Sequence, residues 1–414
     1  MYIDFFNRFK NQKPYLHINE EDWAFIKATF YKDDVKESLA KVAMTYPMPT
    51  MEMTKEDCRK DFNKLKGTWV HDILREGEWF ARSEEGYDYP LNYQGSQWYF
   101  ARNNIGNKTS NYFHQENRWS VESSSYPGPK RTWETFDFMK SLMGAAYSLK
   151  LSKIDRSILR TMIGLRKYIC SQFKPNVAKA MYDYFKVKNV LDFSMGWGDR
   201  LAGFYSSMNT ELYVGLDPRK ENHPIYKEQV EFYDKHLTFF ENKKKTKFHC
   251  EPAEDFNFKE YENTFDMIFT SPPYFNIERY GNDDNQSWVR YGKNIDDWNK
   301  QFLHKSIDNM WSTLKSGGKL CINISDVNAK ISKGAKWLKI CDPMNEFIDE
   351  YRDSEYRGCI GMEMAKRPNS GGAGTAKDTI QFKDKTMKFV EENTDKRFCE
   401  PIWIWEKKLV IPYG

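Results

Sequence analysis

The segment Asp266-Met267-Ile268-Phe269-Thr270-Ser271-Pro272-Pro273-Tyr274 leaves this chain few folds to choose from. Met267 to Phe269 is a short apolar run, the pattern of a strand buried on both faces. The strand must stop at the two prolines. Neither can donate to a sheet ladder, and each fixes φ near −65°, so the turn that follows is stiff. In an open parallel α/β sheet, ligands bind beyond the carboxyl ends of the strands. Ser271 to Tyr274 would sit there. They offer a hydroxyl, carbonyls preceding residues without an amide hydrogen, and a flat ring, a set suited to a planar heterocycle bearing an amine.

A second strand-turn unit lies upstream. Val190-Leu191-Asp192 reads as a strand, the glycines Gly196 and Gly198 as a turn, and Arg200 to Ser207 as a helix. Glycines let the backbone approach a ligand closely. A dinucleotide fingerprint would need another glycine at 201, where Leu201 stands, so a pyrophosphate-binding turn is disfavoured. Glu211 to Asp217 reads as the next strand with an acid at its end, about 20 to 25 residues past the glycine turn, where nucleotide sites commonly place an acid on ribose hydroxyls.

Ser271-Pro272-Pro273-Tyr274 resembles the catalytic motif of the S-adenosylmethionine-dependent methyltransferases that act on exocyclic amines of nucleic-acid bases, the serine form being closest to the cytosine-N4 group. The glycine turn resembles the first cofactor motif of the same family and Asp217 the second. The resemblance implies a Rossmann-like class I methyltransferase sheet, α/β with an antiparallel last strand, and S-adenosylmethionine as cofactor. It assigns Ser271, Pro272, Pro273 and Tyr274 to catalysis. Asp192 falls near the cofactor amine, with Ser194, Gly196, Gly198 and Asp217 completing the near half of the site. Ala253 and Glu254 fall where the family contacts the adenine ring. Three landmarks in the family's order are less easily explained by chance than any one alone.

The rest of the composition narrows the partners. Net charge is +4, so any basic patch that meets nucleic acid must be local. No run of about 18 apolar residues is present, which gives no membrane span. Met1 to Phe6 lacks the basic-then-apolar pattern of a secretory signal. The seven cysteines are scattered and none forms a Cys-x-x-Cys pair. That predicts no metal site and no disulfide framework, and fits a reducing, cytoplasmic setting.

Residues 1–150 carry no named motif and read as an N-terminal α+β domain, with the methyltransferase domain over 151–414. Between Thr68 and Trp133, aromatic residues are interleaved with Arg102, Lys108 and Arg118. One reading is an aromatic core. The sharper one is a surface that stacks bases and grips phosphates. Helices are expected over Glu20–Tyr31, Lys55–Ile73, Thr135–Leu149 and Ile154–Phe173, the last with a basic face of Arg156, Arg160, Arg166 and Lys167. Others are expected over Asp296–Leu314, ended by Gly317-Gly318, and over Trp337–Tyr351. Tyr356–Met364 and Pro401–Trp405 read as an antiparallel edge pair.

Substrate contacts are expected from the polar loop 275–294, which contributes Phe275 and Arg279, from the turn 366–374, and from Arg102, Lys108 and Arg118. The expected partner is nucleic acid, DNA before RNA. Alternatives are an adenine-N6 or RNA base methyltransferase, a non-catalytic nucleic-acid-binding protein of the same fold, and a methyltransferase for protein or small-molecule amines.

Overall fold

Short, β-branched and aromatic strands separated by helices build one large sheet. The computed structural model describes residues 2–12, 14–124, 126–166, 169–238, 243–331, 334–364 and 396–409. Its sheet has ten strands: β1 Leu74–Glu76, β2 Trp79–Ala81, β3 Trp98–Phe100, β4 Asn189–Asp192, β5 Leu212–Leu216, β6 Lys245–His249, β7 Phe265–Thr270, β8 Leu314–Asn323, β9 Ser354–Glu363 and β10 Arg397–Lys407. The order is β6-β5-β4-β7-β8-β10-β9-β3-β1, with β2 also pairing β10. Strands β4 to β8 are mutually parallel, and β10 runs antiparallel to both β8 and β9. This is the Rossmann-like class I methyltransferase architecture expected from the sequence.

The central strands are apolar through their middles, as at Val190–Leu191 and Met267–Phe269, because both faces are covered there. Alternate residues feed two cores. Leu191, Val214 and Ile268 point into one, Val190, Tyr213 and Met267 into the other.

The chain forms two compact units. The first comprises Met1–Glu52, Gln115–Ser171 and Glu278–Tyr280. It is largely helical, with Glu20–Thr29, Lys32–Ala43, Phe136–Ser148 and Arg156–Arg166 burying Trp23, Leu39, Leu142 and Met162. Asn19 caps the first of these, accepting from the Asp22 N–H at 2.8 Å.

The second unit comprises Met53–His114, Gln172–Ile277 and Gly281–Gly414 and holds the whole sheet. The division therefore differs from a single break at 150. Residues 53–114 supply β1, β2 and β3, whose backbone bonds are satisfied only within the sheet, so they fold with it.

The aromatic stretch is mostly core. Trp79, Phe80, Tyr93 and Phe100 are buried in the second unit, Trp119 and Trp133 in the first. Trp69 and Tyr126 remain exposed.

Four element assignments change. The helix expected over Lys55–Ile73 ends at Lys66 with Gly67 as its C-cap, and a separate short helix covers Val70–Ile73. β9 and β10 are antiparallel partners but not an edge, because β3 pairs along the outer side of β9. Gly334–Leu338 pairs with Val327–Ile331 as a hairpin, and the helix begins only at Cys341. Gly317, at φ 78°, lies in an irregularity of β8 rather than at a helix end, and the preceding helix stops at Trp311. The turn 366–374 lies outside the described residues, as do the side chains of Arg166 and Lys167.

Candidate active site

Four neighbouring parallel strands place the candidate residues along one edge of the second unit's sheet. The glycine turn follows β4, Asp217 follows β5, Ala253 and Glu254 follow β6, and Ser271 follows β7. Because β4 lies between β5 and β7, the glycine turn is flanked by Asp217 on one side and Ser271 on the other.

The turn is held by its own backbone. Gly196 has φ 54° and Gly198 φ 70°, both in the left-handed region that glycine enters without strain. The Gly196 N–H donates to Asp217 Oδ2 at 2.8 Å, and its carbonyl accepts from Asn222 Nδ2 at 3.0 Å and Tyr226 Oη at 2.5 Å. A Cβ at 198 would lie 2.4 Å from Oε1 of the buried Gln229 and would force that side chain to move, in a backbone conformation that already strains any residue but glycine. A Cβ at 196 would meet only the Ser194 carbonyl, at 3.9 Å. One face of the turn is thus closed and the other is open to a ligand. Trp197, between the glycines, is buried beneath the Arg219 guanidinium, 5.5 Å from the ring centroid, and beside the His114 ring.

Asp192 differs from expectation. It is fully buried, and its oxygens accept from Arg200 Nε at 2.8 Å, Arg200 Nη2 at 3.2 Å and Tyr213 Oη at 2.6 Å. Arg200 Nη2 also donates to the Ser194 carbonyl. The carboxylate is spent on an internal ion pair, so Asp192 braces the turn from beneath and is not an open acceptor. Ser194 is half-buried and contributes that carbonyl.

Asp217 is 9 % exposed and accepts two backbone N–H groups, from Gly196 and from Arg219 at 2.9 Å. Burial outweighs these bonds and pushes its carboxyl up to about 6. Glu254 is 1 % exposed. Its Oε1 accepts from Arg290 Nη1 at 3.1 Å, whereas Oε2 is buried without a partner. Burial pushes it up to about 7. Arg290 also reaches Asp255 Oδ2 at 2.5 Å and the Asp284 carbonyl at 2.6 Å, pinning the loop 281–292 to the turn after β6. Ala253 is buried in the core, and its carbonyl accepts from Asn309 Nδ2 at 3.3 Å.

At the end of β7, Pro272 is buried while Ser271, Pro273 and Tyr274 are half-exposed. Ser271 Oγ lies 3.3 Å from Asn323 Oδ1, and Tyr274 Oη 3.3 Å from Glu400 Oε2. Phe275 does not face a substrate. It is 3 % exposed, adopts φ 53°, and packs edge-on against Trp298 at 6.2 Å, so it anchors the turn in the core.

The expected substrate contacts fall in different units. Arg102 and Lys108 are exposed on the second unit. Arg118 and Arg279 are half-buried in the first, where Arg279 pairs with Glu122 across a short antiparallel ladder. Sequence reasoning missed Asn323, Glu400, Arg200 and Arg290. Asn323 carries a readable signal, a polar residue ending an apolar strand. The others have none.

Among the described residues no His, Cys, Asp and Glu cluster is arranged to hold a metal ion, and no helix is long and apolar enough to cross a membrane. None of the seven cysteines is joined in a disulfide.

No protein-family model and no curated protein matches the chain. Solved structures similar to it include TrmN from Thermus thermophilus, at 11% identity and TM-score 0.32, over 56% of this chain and 48% of that one. An S-adenosylmethionine-dependent O-methyltransferase from Thermotoga maritima is 11% identical, with TM-score 0.31, over 59% of this chain and 69% of that one. An rRNA methylase from Streptococcus thermophilus is 10% identical, with TM-score 0.32, over 58% and 99%. This chain spans about half the length of TrmN. With TM-scores of 0.31–0.32, these likenesses do not carry the fold assignment, which rests on the strand order itself.

Proposed function

We propose that the protein is an S-adenosylmethionine-dependent methyltransferase acting on an exocyclic amine of a nucleic-acid base, with DNA cytosine-N4 as the first substrate to test. The observation that carries this reading is the side-by-side placement of the Ser271–Tyr274 turn, the glycine turn and Asp217 at the carboxyl ends of β7, β4 and β5.

The residues present fit the cofactor. The open face at Gly196 admits a close backbone approach. Each Asp217 oxygen has given one lone pair to a backbone N–H and keeps another for a ribose hydroxyl. The unpartnered, buried Glu254 Oε2 is an acceptor for an adenine amine. When bound, S-adenosylmethionine supplies an electrophilic methyl group on a sulfonium.

The chain's part is positioning. An exocyclic base amine shares its lone pair with the ring and is a poor nucleophile. Ser271 Oγ and the Pro272 carbonyl would accept its two hydrogens, drawing the nitrogen towards tetrahedral geometry and exposing the lone pair. Tyr274 would lie against the ring. Holding the amine in line with the methyl group supplies most of the rate enhancement. In a duplex the base must first leave the stack, at a cost of a few kcal/mol.

The test is mass spectrometry of host DNA and RNA nucleosides with and without expression. A gain of N4-methylcytosine in DNA supports the full reading. A gain of N6-methyladenine, or of a methylated base in RNA, moves the substrate but keeps the chemistry. Unchanged nucleosides, together with calorimetry showing S-adenosylmethionine binding, would turn the assignment towards a protein or small-molecule amine. Absence of cofactor binding would reject the enzyme reading.

A further inference from the structure

We propose that Asn323 is a positioning residue that fixes the hydrogen-bond polarity of Ser271, so that the serine oxygen meets the target amine only as an acceptor. This rests on the reading of Ser271–Tyr274 as the methyl-transfer turn.

The argument runs from the backbone outwards. Asn323 ends β8, the strand beside β7, and is 1 % exposed. Its Nδ2 lies 3.1 Å from the carbonyl of Pro401 on β10. A carbonyl has only lone pairs, so the NH2 end of the amide must face it. The other end, Oδ1, is thereby turned towards Ser271 Oγ at 3.3 Å. An amide oxygen also has only lone pairs, so the Ser271 hydroxyl must donate. The proton on Ser271 is committed to Asn323, and both serine lone pairs are left for the space beyond the turn. An amide oxygen is too weak a base to take that proton, so Ser271 cannot act as a terminal proton acceptor. It polarises the amine without deprotonating it. The proton that the nitrogen sheds, once the methyl–sulfur bond has broken and the methyl–nitrogen bond has formed, goes to water.

The same strand steadies the other functional ring. Glu400, the residue before Pro401, meets Tyr274 Oη at 3.3 Å. The register supports a rigid arrangement, since Asn323 pairs with Ile402 and Gly361 with Pro401. The antiparallel strand β10 therefore sets the polarity of the serine and the tilt of the tyrosine from one short stretch.

Two variants separate this role from a merely structural one. Asn323→Ala removes the acceptor and frees the serine hydroxyl to rotate. Asn323→Asp replaces the NH2 with a carboxylate oxygen that faces the Pro401 carbonyl. Two oxygens without a proton repel, so the aspartate pKa should rise. Protonated, it donates to Pro401 and accepts from Ser271 as asparagine does. Ionised, it loses the Pro401 contact.

The experiment measures methyl transfer from labelled S-adenosylmethionine to genomic DNA and to total RNA, as a function of pH, with cofactor affinity by calorimetry. Asn323→Ala should lower kcat by about 10- to 100-fold while leaving cofactor affinity unchanged. Asn323→Asp should approach wild-type activity at acid pH and lose it as pH rises, relative to wild type. Wild-type turnover in Asn323→Ala, or a pH profile of Asn323→Asp parallel to that of wild type, would overturn the proposal. A wild-type protein that transfers nothing would instead sink the reading of the turn. The polarity is then still tested by a crystal structure of Asn323→Ala, in which Ser271 Oγ should leave its wild-type rotamer. A Ser271 Oγ that stays in place would show that Asn323 does not orient it.

Discussion

The Asp217 carboxylate accepts the Gly196 N–H at 2.8 Å and so joins the end of β5 to the glycine turn after β4. The contact that shapes the turn and the proposed ribose contact thus share one side chain. Asp217→Ala should weaken S-adenosylmethionine binding by about 1.5–3 kcal/mol, the range for a charge-assisted hydrogen bond. Unchanged affinity in calorimetry would remove Asp217 from the cofactor site.

The same residue gives a pH dependence with a defined sign. Its carboxyl is pushed up to about 6 by burial, above the ordinary 3.8. Between these values the native state holds a proton that the unfolded state has released. On this group's account stability rises as pH falls from about 6 towards 4. Cofactor affinity should fall over the same window, because the protonated acid is a poorer acceptor. Comparing wild type with Asp217→Asn isolates the group. The difference in denaturant midpoint and in cofactor affinity should both flatten above pH 7, and parallel curves throughout would refute the assignment.

Asp192 and Arg200 form a buried pair, and breaking it leaves a charge with no solvent to receive it. Asp192→Ala is therefore expected to cost about 3–5 kcal/mol of stability. That is the signature of a brace rather than of a ligand contact. Urea unfolding monitored by tryptophan fluorescence measures it. A variant of wild-type stability that had lost only cofactor affinity would restore Asp192 to the role first expected of it.

What was legible in the sequence follows from how local each signal is. The strand-turn units at 190–198 and 266–274 are written in neighbouring residues, apolar runs stopped by glycine or proline, and the structure places both at strand ends. Asp192 reads as a free acid because its partners, Arg200 on the following helix and Tyr213 on the next strand, are set by packing rather than by pattern. Phe275 reads as a loop residue because positive φ and core burial are properties of the fold. That the compact units do not divide at 150 is hidden from the sequence for a like reason. β1, β2 and β3 are only three residues each, too short for periodicity to reveal, and pair with strands far along the chain.

Tyr274 packs against the core of the second unit while its hydroxyl meets Glu400. Tyr274→Ala should reduce turnover more than cofactor affinity, since loss of one base-stacking contact is worth about 1–3 kcal/mol. Tyr274→Phe keeps the ring and removes the hydroxyl, so its loss should be smaller. Equal losses in the two variants would assign the role to the hydroxyl. Lost cofactor binding with retained turnover would place the ring in the cofactor pocket.

The proposed polynucleotide contacts are now unequal. Arg102 and Lys108 are exposed on the unit that carries the sheet, whereas Arg118 is half-buried in the helical unit. Lys108 is only loosely engaged, with Nζ 3.9 Å from Asp57 Oδ1, and Arg102 uses its backbone N–H rather than its guanidinium on Glu363. Both cations are therefore available to phosphates, and a cation that neutralises a phosphate releases a counterion. Arg102→Ala with Lys108→Ala should lower the slope of log affinity against log salt by about 0.7–0.9 per lost contact. Arg118→Ala should leave the slope unchanged and, if anything, lower stability. Filter binding of DNA and RNA across a salt series, with cofactor affinity as the folding control, distinguishes these outcomes. A double variant with the wild-type slope would remove this surface from the polynucleotide path and leave residues 53–114 with their structural role of extending the sheet.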